Sequence, residues 1–114
     1  MLTIEKLVEY GADTETGLKR CVNSEALYLR LVNTVPDHKS FAALDEAIAQ
    51  CDLEKAFQEA HGLKGVLTNL ALTPLSDPIV EITDHLRAKE SMDYIPLLDI
   101  IHEQLEKLTK ICQD

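Results

Sequence analysis

The sequence predicts an all-α protein: a four-helix bundle, up-down-up-down, with one or two short N-terminal helices packed at one end. Three observations predict it. Apolar residues recur at spacings of three and four in one segment after another, as on one face of a helix. No segment alternates apolar and polar residues along a β-branched run, as a strand would. Aromatic residues make up only 4% and Trp is absent, which leaves a core of Leu, Ile, Val and Ala that suits packed helices better than a β-sandwich. Stripes near the heptad period favour helices crossing at roughly 20°.

The elements follow in order. Thr3 to Tyr10 forms a short amphipathic helix with Ile4, Leu7 and Val8 inward, closed by Gly11. Asp13 or Thr14 caps a second segment that runs to roughly Cys21. These short helices occupy about residues 3–20, and the bundle core about residues 24–112, of one domain spanning 1–114. Asn23 or Ser24 caps the next helix, which carries Leu27, Leu31 and Val35 and runs through Thr34. Val35-Pro36-Asp37 ends it, because a residue before proline is steered away from the helical region. His38 or Ser40 starts a helix striped by Phe41, Leu44 and Ile48. Asp52 caps the most informative helix, whose inward set is Leu53, Ala56, Phe57, Ala60, Leu63, Leu67 and Leu70. Pro74 and Pro78 mark the next start, followed by Leu75, Ile79, Ile82 and Leu86. Asp93 caps a last helix holding Tyr94, Leu98, Ile101, Leu105, Leu108 and Cys112, and Pro96 is tolerated in its first turn.

A formal net charge of -9 argues against nucleic acid or an anionic membrane as partner, since both are polyanions. Cys21, Cys51 and Cys112 are odd in number and form no CxxC pair, which fits reduced thiols rather than a disulfide frame or a zinc site. Cys51 and Cys112 are expected as small buried hydrophobes. The start, MLTIEKLVEYG, is acidic and lacks the apolar run of a signal peptide. No stretch approaches the ~20 apolar residues of a membrane span. The expectation is a soluble, cytoplasmic protein, and Met1 with a full set of helices favours one that stands alone.

The chemistry concentrates in Ala60-His61-Gly62-Leu63-Lys64-Gly65-Val66-Leu67-Thr68-Asn69-Leu70-Ala71-Leu72. With His61 at zero and roughly 100° per residue, Ala56, Leu63 and Leu67 centre about 120° or more away, so His61 stands beside the buried stripe. Lys64, Gly65 and Thr68 fall within about one side chain's width of its direction. Gly62 and Gly65 lie mid-helix, where each costs about 1 kcal/mol relative to Ala. A function accounts for that cost. Glycine one turn after a histidine removes bulk beside the imidazole, and lysine one turn away supplies positive charge for an incoming phosphoryl oxygen. A neutral imidazole nitrogen is a competent nucleophile near neutral pH. No neighbouring residue forms a His-Asp or His-Ser dyad, so hydrolytic chemistry has no support. His38, His85 and His102 lack such surroundings and are expected as surface residues. Asp45-Glu46 and Glu103 with Glu106 read as solvated faces.

The segment His61-Gly62-Leu63-Lys64-Gly65, followed by Thr68-Asn69-Leu70-Ala71, resembles the signature of histidine-containing phosphotransfer (HPt) domains, roughly His-x-x-Lys-Gly with Leu before the Lys. The resemblance extends over essentially the whole chain, most clearly from Leu53 to Leu108. Two departures stand out: Ala71 occupies a place where relatives often have Gly, and Gly62 is less usual. The resemblance implies a phosphorelay intermediate. A phosphoryl group arrives from an aspartyl phosphate on a receiver domain of a response regulator or hybrid kinase, rests on His61 Nε2, and moves to another receiver. Lys64 would act electrostatically and Gly65 would give clearance. The docking face would use Gln58, Gly62, Thr68, Asn69 and Leu72 as exposed contacts, with an apolar edge from Ile4 to Val8. Mg²⁺ would belong to the receiver, with no cofactor or metal on this chain. The domain would be a monomeric carrier without kinase or hydrolase activity of its own. The alternatives are a non-catalytic helical adaptor that binds a receiver, a scaffolding bundle, and a metal- or ligand-binding bundle, for which no ExxH motif is present.

Overall fold

Four helix starts are fixed by side chains that accept the otherwise unpaired N–H groups of a first turn. Thr3 accepts from Lys6 N at 3.2 Å, Asp13 from Thr16 N at 3.2 Å, Ser24 from Leu27 N at 3.2 Å and Asp52 from Lys55 N at 3.1 Å. Two others carry proline in the first turn, Pro74 and Pro96, where no N–H is needed. The computed structural model describes all residues, Met1–Asp114. Its helices are α1 (Ile4–Tyr10), α2 (Thr14–Arg20), α3 (Glu25–Thr34), α4 (Ser40–Ala49), α5 (Leu53–Asn69), α6 (Thr73–Arg87) and α7 (Ile95–Gln113), with one 3₁₀ turn over Val35–Asp37.

The bundle is built around α5, which packs against both α4 and α6, and α6 packs in turn on α7. The connections span residues 50–52, 70–72 and 88–94, short enough to force neighbouring helices antiparallel. Leu31 and Thr34 of α3 share a depression with Gly65, Val66, Asn69 and Leu70, so α3 flanks the second half of α5. The first strut of the bundle is therefore α3 and α4 in tandem, broken at Pro36. The α1 and α2 helices close the end where α5 turns into α6: Asp13 N donates to the Ala71 carbonyl at 2.9 Å, and Gly11 lies against Pro74. The core is a single cluster that includes Leu7, Tyr28, Leu44, Leu63, Leu67, Leu75, Ile79, Ile82, Leu86, Ile101 and Leu108.

The expected fold class holds, and the stripe of α6 is buried in full. Several inward assignments shift. Val8 is 56% exposed, because the seven-residue α1 buries only Leu7. In α3 the buried positions are Tyr28 and Val32, with Leu27 and Leu31 half-buried. The helix is turned by one residue because the Tyr28 hydroxyl donates to the Leu70 carbonyl at 2.9 Å, which draws its ring inward over Gly17. Ala47 takes the buried place expected of Ile48, and Phe57 is half-buried. Cys51 is exposed rather than buried: it sits in the left-handed region (φ 59°) of the turn after α4. Cys112 is half-buried and Cys21 buried.

Candidate functional site

His61 lies midway along α5 on its solvent side and is exposed. No hydrogen bond engages either nitrogen of its ring. Its ring stacks on that of Phe57, one turn earlier, at 5.6 Å between centroids and 21° between planes. Positions four apart share a helix face, which brings the rings together. Beyond Phe57 stands Arg87 of α6, whose guanidinium carbon is 5.6 Å from the Phe57 ring centroid. Arg87 Nη1 also donates to Asp84 Oδ1 at 3.0 Å.

Lys64 is half-buried on the next turn and forms no ion pair, so its ammonium is free to meet an anion brought from outside. Gly62 and Gly65 are exposed, and a methyl group built on either would meet nothing within 4 Å. Neither glycine serves the packing of this chain. Gly17 differs: a methyl there would come within 2.6 Å of the Tyr28 ring.

Thr68 is half-buried, and its hydroxyl turns back to donate to the Lys64 carbonyl at 2.7 Å. The backbone carbonyl of Thr68 accepts from the Arg20 guanidinium of α2, which fastens the N-terminal segment to α5. Gln58 and Asn69 are exposed. Leu72 is not. It is fully buried, because α5 ends at Asn69 and the chain turns into the core before α6. The expectation of an exposed Leu72 carried the helical angle three residues past the end of the helix.

The structure thus gathers His61, Gly62, Lys64 and Gly65 on one open face, with Gln58, Thr68 and Asn69 around them and Leu72 removed. Sequence reasoning missed Phe57, Arg87 and Arg20. The i, i+4 spacing of Phe57 and His61 was a usable signal; the two arginines come from other helices, which sequence spacing does not relate to α5. The other histidines are engaged elsewhere. His102 Nε2 meets Asp45 Oδ2 at 2.7 Å, and His85 Nδ1 meets Glu90 Oε2 at 2.7 Å. No group of three His, Cys, Asp or Glu side chains could hold a metal ion, and no helix is long and apolar enough to cross a membrane.

Residues 27–111 match the family model described as Hpt domain. No curated protein and no solved structure matches the chain.

Proposed function

The chain belongs to the Hpt domain family, and from that footing we propose that His61 is the residue through which it relays phosphoryl groups. The family implies histidine phosphotransfer within a phosphorelay, and Hpt domains interact with receiver domains of two-component systems. The observation that carries the assignment is an exposed imidazole with both nitrogens free, flanked by two glycines that nothing in the chain's own packing requires.

The transfer balances simply. A receiver brings an aspartyl phosphate to His61. The lone pair of neutral Nε2 attacks phosphorus in line, the N–P bond forms as the P–O bond to the aspartate breaks, and the aspartate leaves as a carboxylate. The proton already on Nδ1 stays or is lost to water. Passing the group onward reverses these bonds on a second receiver. Such a transition state needs mostly positioning and charge neutralisation. Lys64 offers the charge, and Gly65 and Gly62 admit the partner's pocket. Gln58, Thr68 and Asn69 would frame the docking face, with the depression between α3 and α5 beside Gly65 supplying apolar walls from Leu31, Val66 and Leu70. Mg²⁺ belongs to the receiver in this reading, and the protein works as a cytoplasmic monomer.

The test is incubation with receiver domains carrying radiolabelled aspartyl phosphate. Acid-labile, alkali-stable label is expected on the wild type and none on His61→Gln. No label on the wild type across a panel of receivers, or equal label on His61→Gln, would overturn the assignment; receiver binding without transfer would favour the adaptor reading.

A further inference from the structure

We infer that Phe57 is the positioning residue for His61, its ring serving as the platform that sets the imidazole's orientation, braced from α6 by Arg87. The inference rests on the assignment of His61 as the phosphoryl carrier.

An exposed histidine without a hydrogen-bonded partner would ordinarily sample several rotamers, of which few aim a given nitrogen outward. His61 has no hydrogen bond, so the stack on Phe57, at 5.6 Å and 21°, is the contact that selects among them. The chemistry favours this kind of contact. A carboxylate or carbonyl that oriented the ring would occupy one nitrogen. Stacking uses the ring's face and leaves both nitrogens, which lie on its edge, free to attack phosphorus and then to carry it. The platform is itself held. Arg87 places its guanidinium 5.6 Å from the Phe57 centroid, a cation–π distance, and is tied by Asp84 at 3.0 Å. A continuous path of contacts therefore runs from Asp84 and Arg87 on α6 through Phe57 to His61 on α5. Phe57 is also only half-buried, while Ala56, Ala60 and Leu63 already fill the core side of the same turns. Its ring stands where the imidazole needs it rather than where the core does.

The experiment compares wild type, Phe57→Leu and Phe57→Tyr. Leu keeps apolar bulk without a ring, and Tyr keeps the ring. Two readouts are taken: the His61 ring proton shifts by NMR, and the transfer rate from a receiver aspartyl phosphate at saturating protein, with receiver affinity measured separately. Ring-current shifts are expected on the His61 protons of wild type and Phe57→Tyr and their loss in Phe57→Leu. Phe57→Leu should transfer about two- to tenfold more slowly with unchanged affinity, the range that one aromatic stack supplies, and Phe57→Tyr should restore the rate. The proposal is overturned if Phe57→Leu keeps the wild-type rate, if its loss lies wholly in affinity, or if Phe57→Tyr is as slow as Phe57→Leu. Should Leu at this position cost the fold, Arg87→Gln removes the brace from the surface. It should move the His61 shifts toward the unstacked values and slow transfer, and no change in either overturns the brace. If the wild type takes no label at all, the His61 assignment fails, while the shifts still report whether the stack orients the ring.

Discussion

Gly62 and Gly65 face open space, whereas Gly17 lies under the Tyr28 ring. The same residue type is therefore not required by packing at two positions and is required by it at the third. Gly65→Ala should raise stability by about 0.5–1 kcal/mol, because it adds helix propensity and meets nothing. Gly65→Gln should slow phosphoryl transfer from a receiver while leaving helicity intact. Gly17→Ala should lower stability by about 1–3 kcal/mol through the clash with Tyr28. Denaturant titration and labelling kinetics check all three, and a destabilising Gly65→Ala would give that glycine a role in the fold instead. The sequence made Gly62 and Gly65 conspicuous because they interrupt a long helical period beside a histidine. It could not show Gly17 as a packing residue, since Tyr28 reaches it from another helix. The placement of His61, Lys64 and Gly65 on one face was legible for the same reason: all three lie on one helix, where spacing translates directly into geometry.

Helix ends were legible where a side chain does the capping and less so where the backbone does. Asp13, Ser24 and Asp52 cap as their sequence positions suggest, whereas α4 follows Lys39 and α7 follows Tyr94 without a side-chain cap, where His38 or Ser40 and Asp93 were expected. The ends of α4, α5 and α6 instead pass through the left-handed region at Cys51 (φ 59°), Ala71 (φ 54°) and Lys89 (φ 53°). These are places where glycine is normally favoured, since a Cβ there crowds the following carbonyl. Ala71, noticed in the sequence as standing where relatives often carry glycine, now has a physical meaning: the backbone adopts a glycine-like conformation without the glycine. Ala71→Gly should therefore stabilise the protein by about 0.5–1 kcal/mol, the relief of strain exceeding the added freedom of the unfolded chain. Thermal unfolding of the two forms checks this, and a lower midpoint for Ala71→Gly would refute it. The same turn explains why Leu72 could not be placed from helical angles.

At the scale of the whole molecule, the bundle and the packing of short helices on one end were readable from periodicity and proline placement. The tandem of α3 and α4 was not, because Val35-Pro36-Asp37 reads as a stop and only the fold shows both pieces lying along α5. Tyr28 is the joint that holds this arrangement, its hydroxyl reaching the Leu70 carbonyl from 42 residues away. Burial pushes this phenol up to about 12 from its ordinary value of 10.0. A group whose native pKa is raised contributes stability fully below its unfolded value and loses it as pH climbs through the native one. Stability should thus decline between about pH 10 and pH 12. Tyr28→Phe should cost about 1 kcal/mol at neutral pH, the worth of a lost buried hydrogen bond, and should flatten that decline. Urea titrations across this range measure both effects, and an equally steep decline in Tyr28→Phe would show that other groups govern it.

The fastening of the N-terminal helices also has a consequence in time. Asp13 is bonded to the carbonyl of Ala71, and Arg20 to that of Thr68, 48 residues further on. Neither bond can form before the end of α5 and the turn behind it exist. The helices α1 and α2 therefore wait for a segment made well after them, and the surface beside the histidine is complete only when they come back to it.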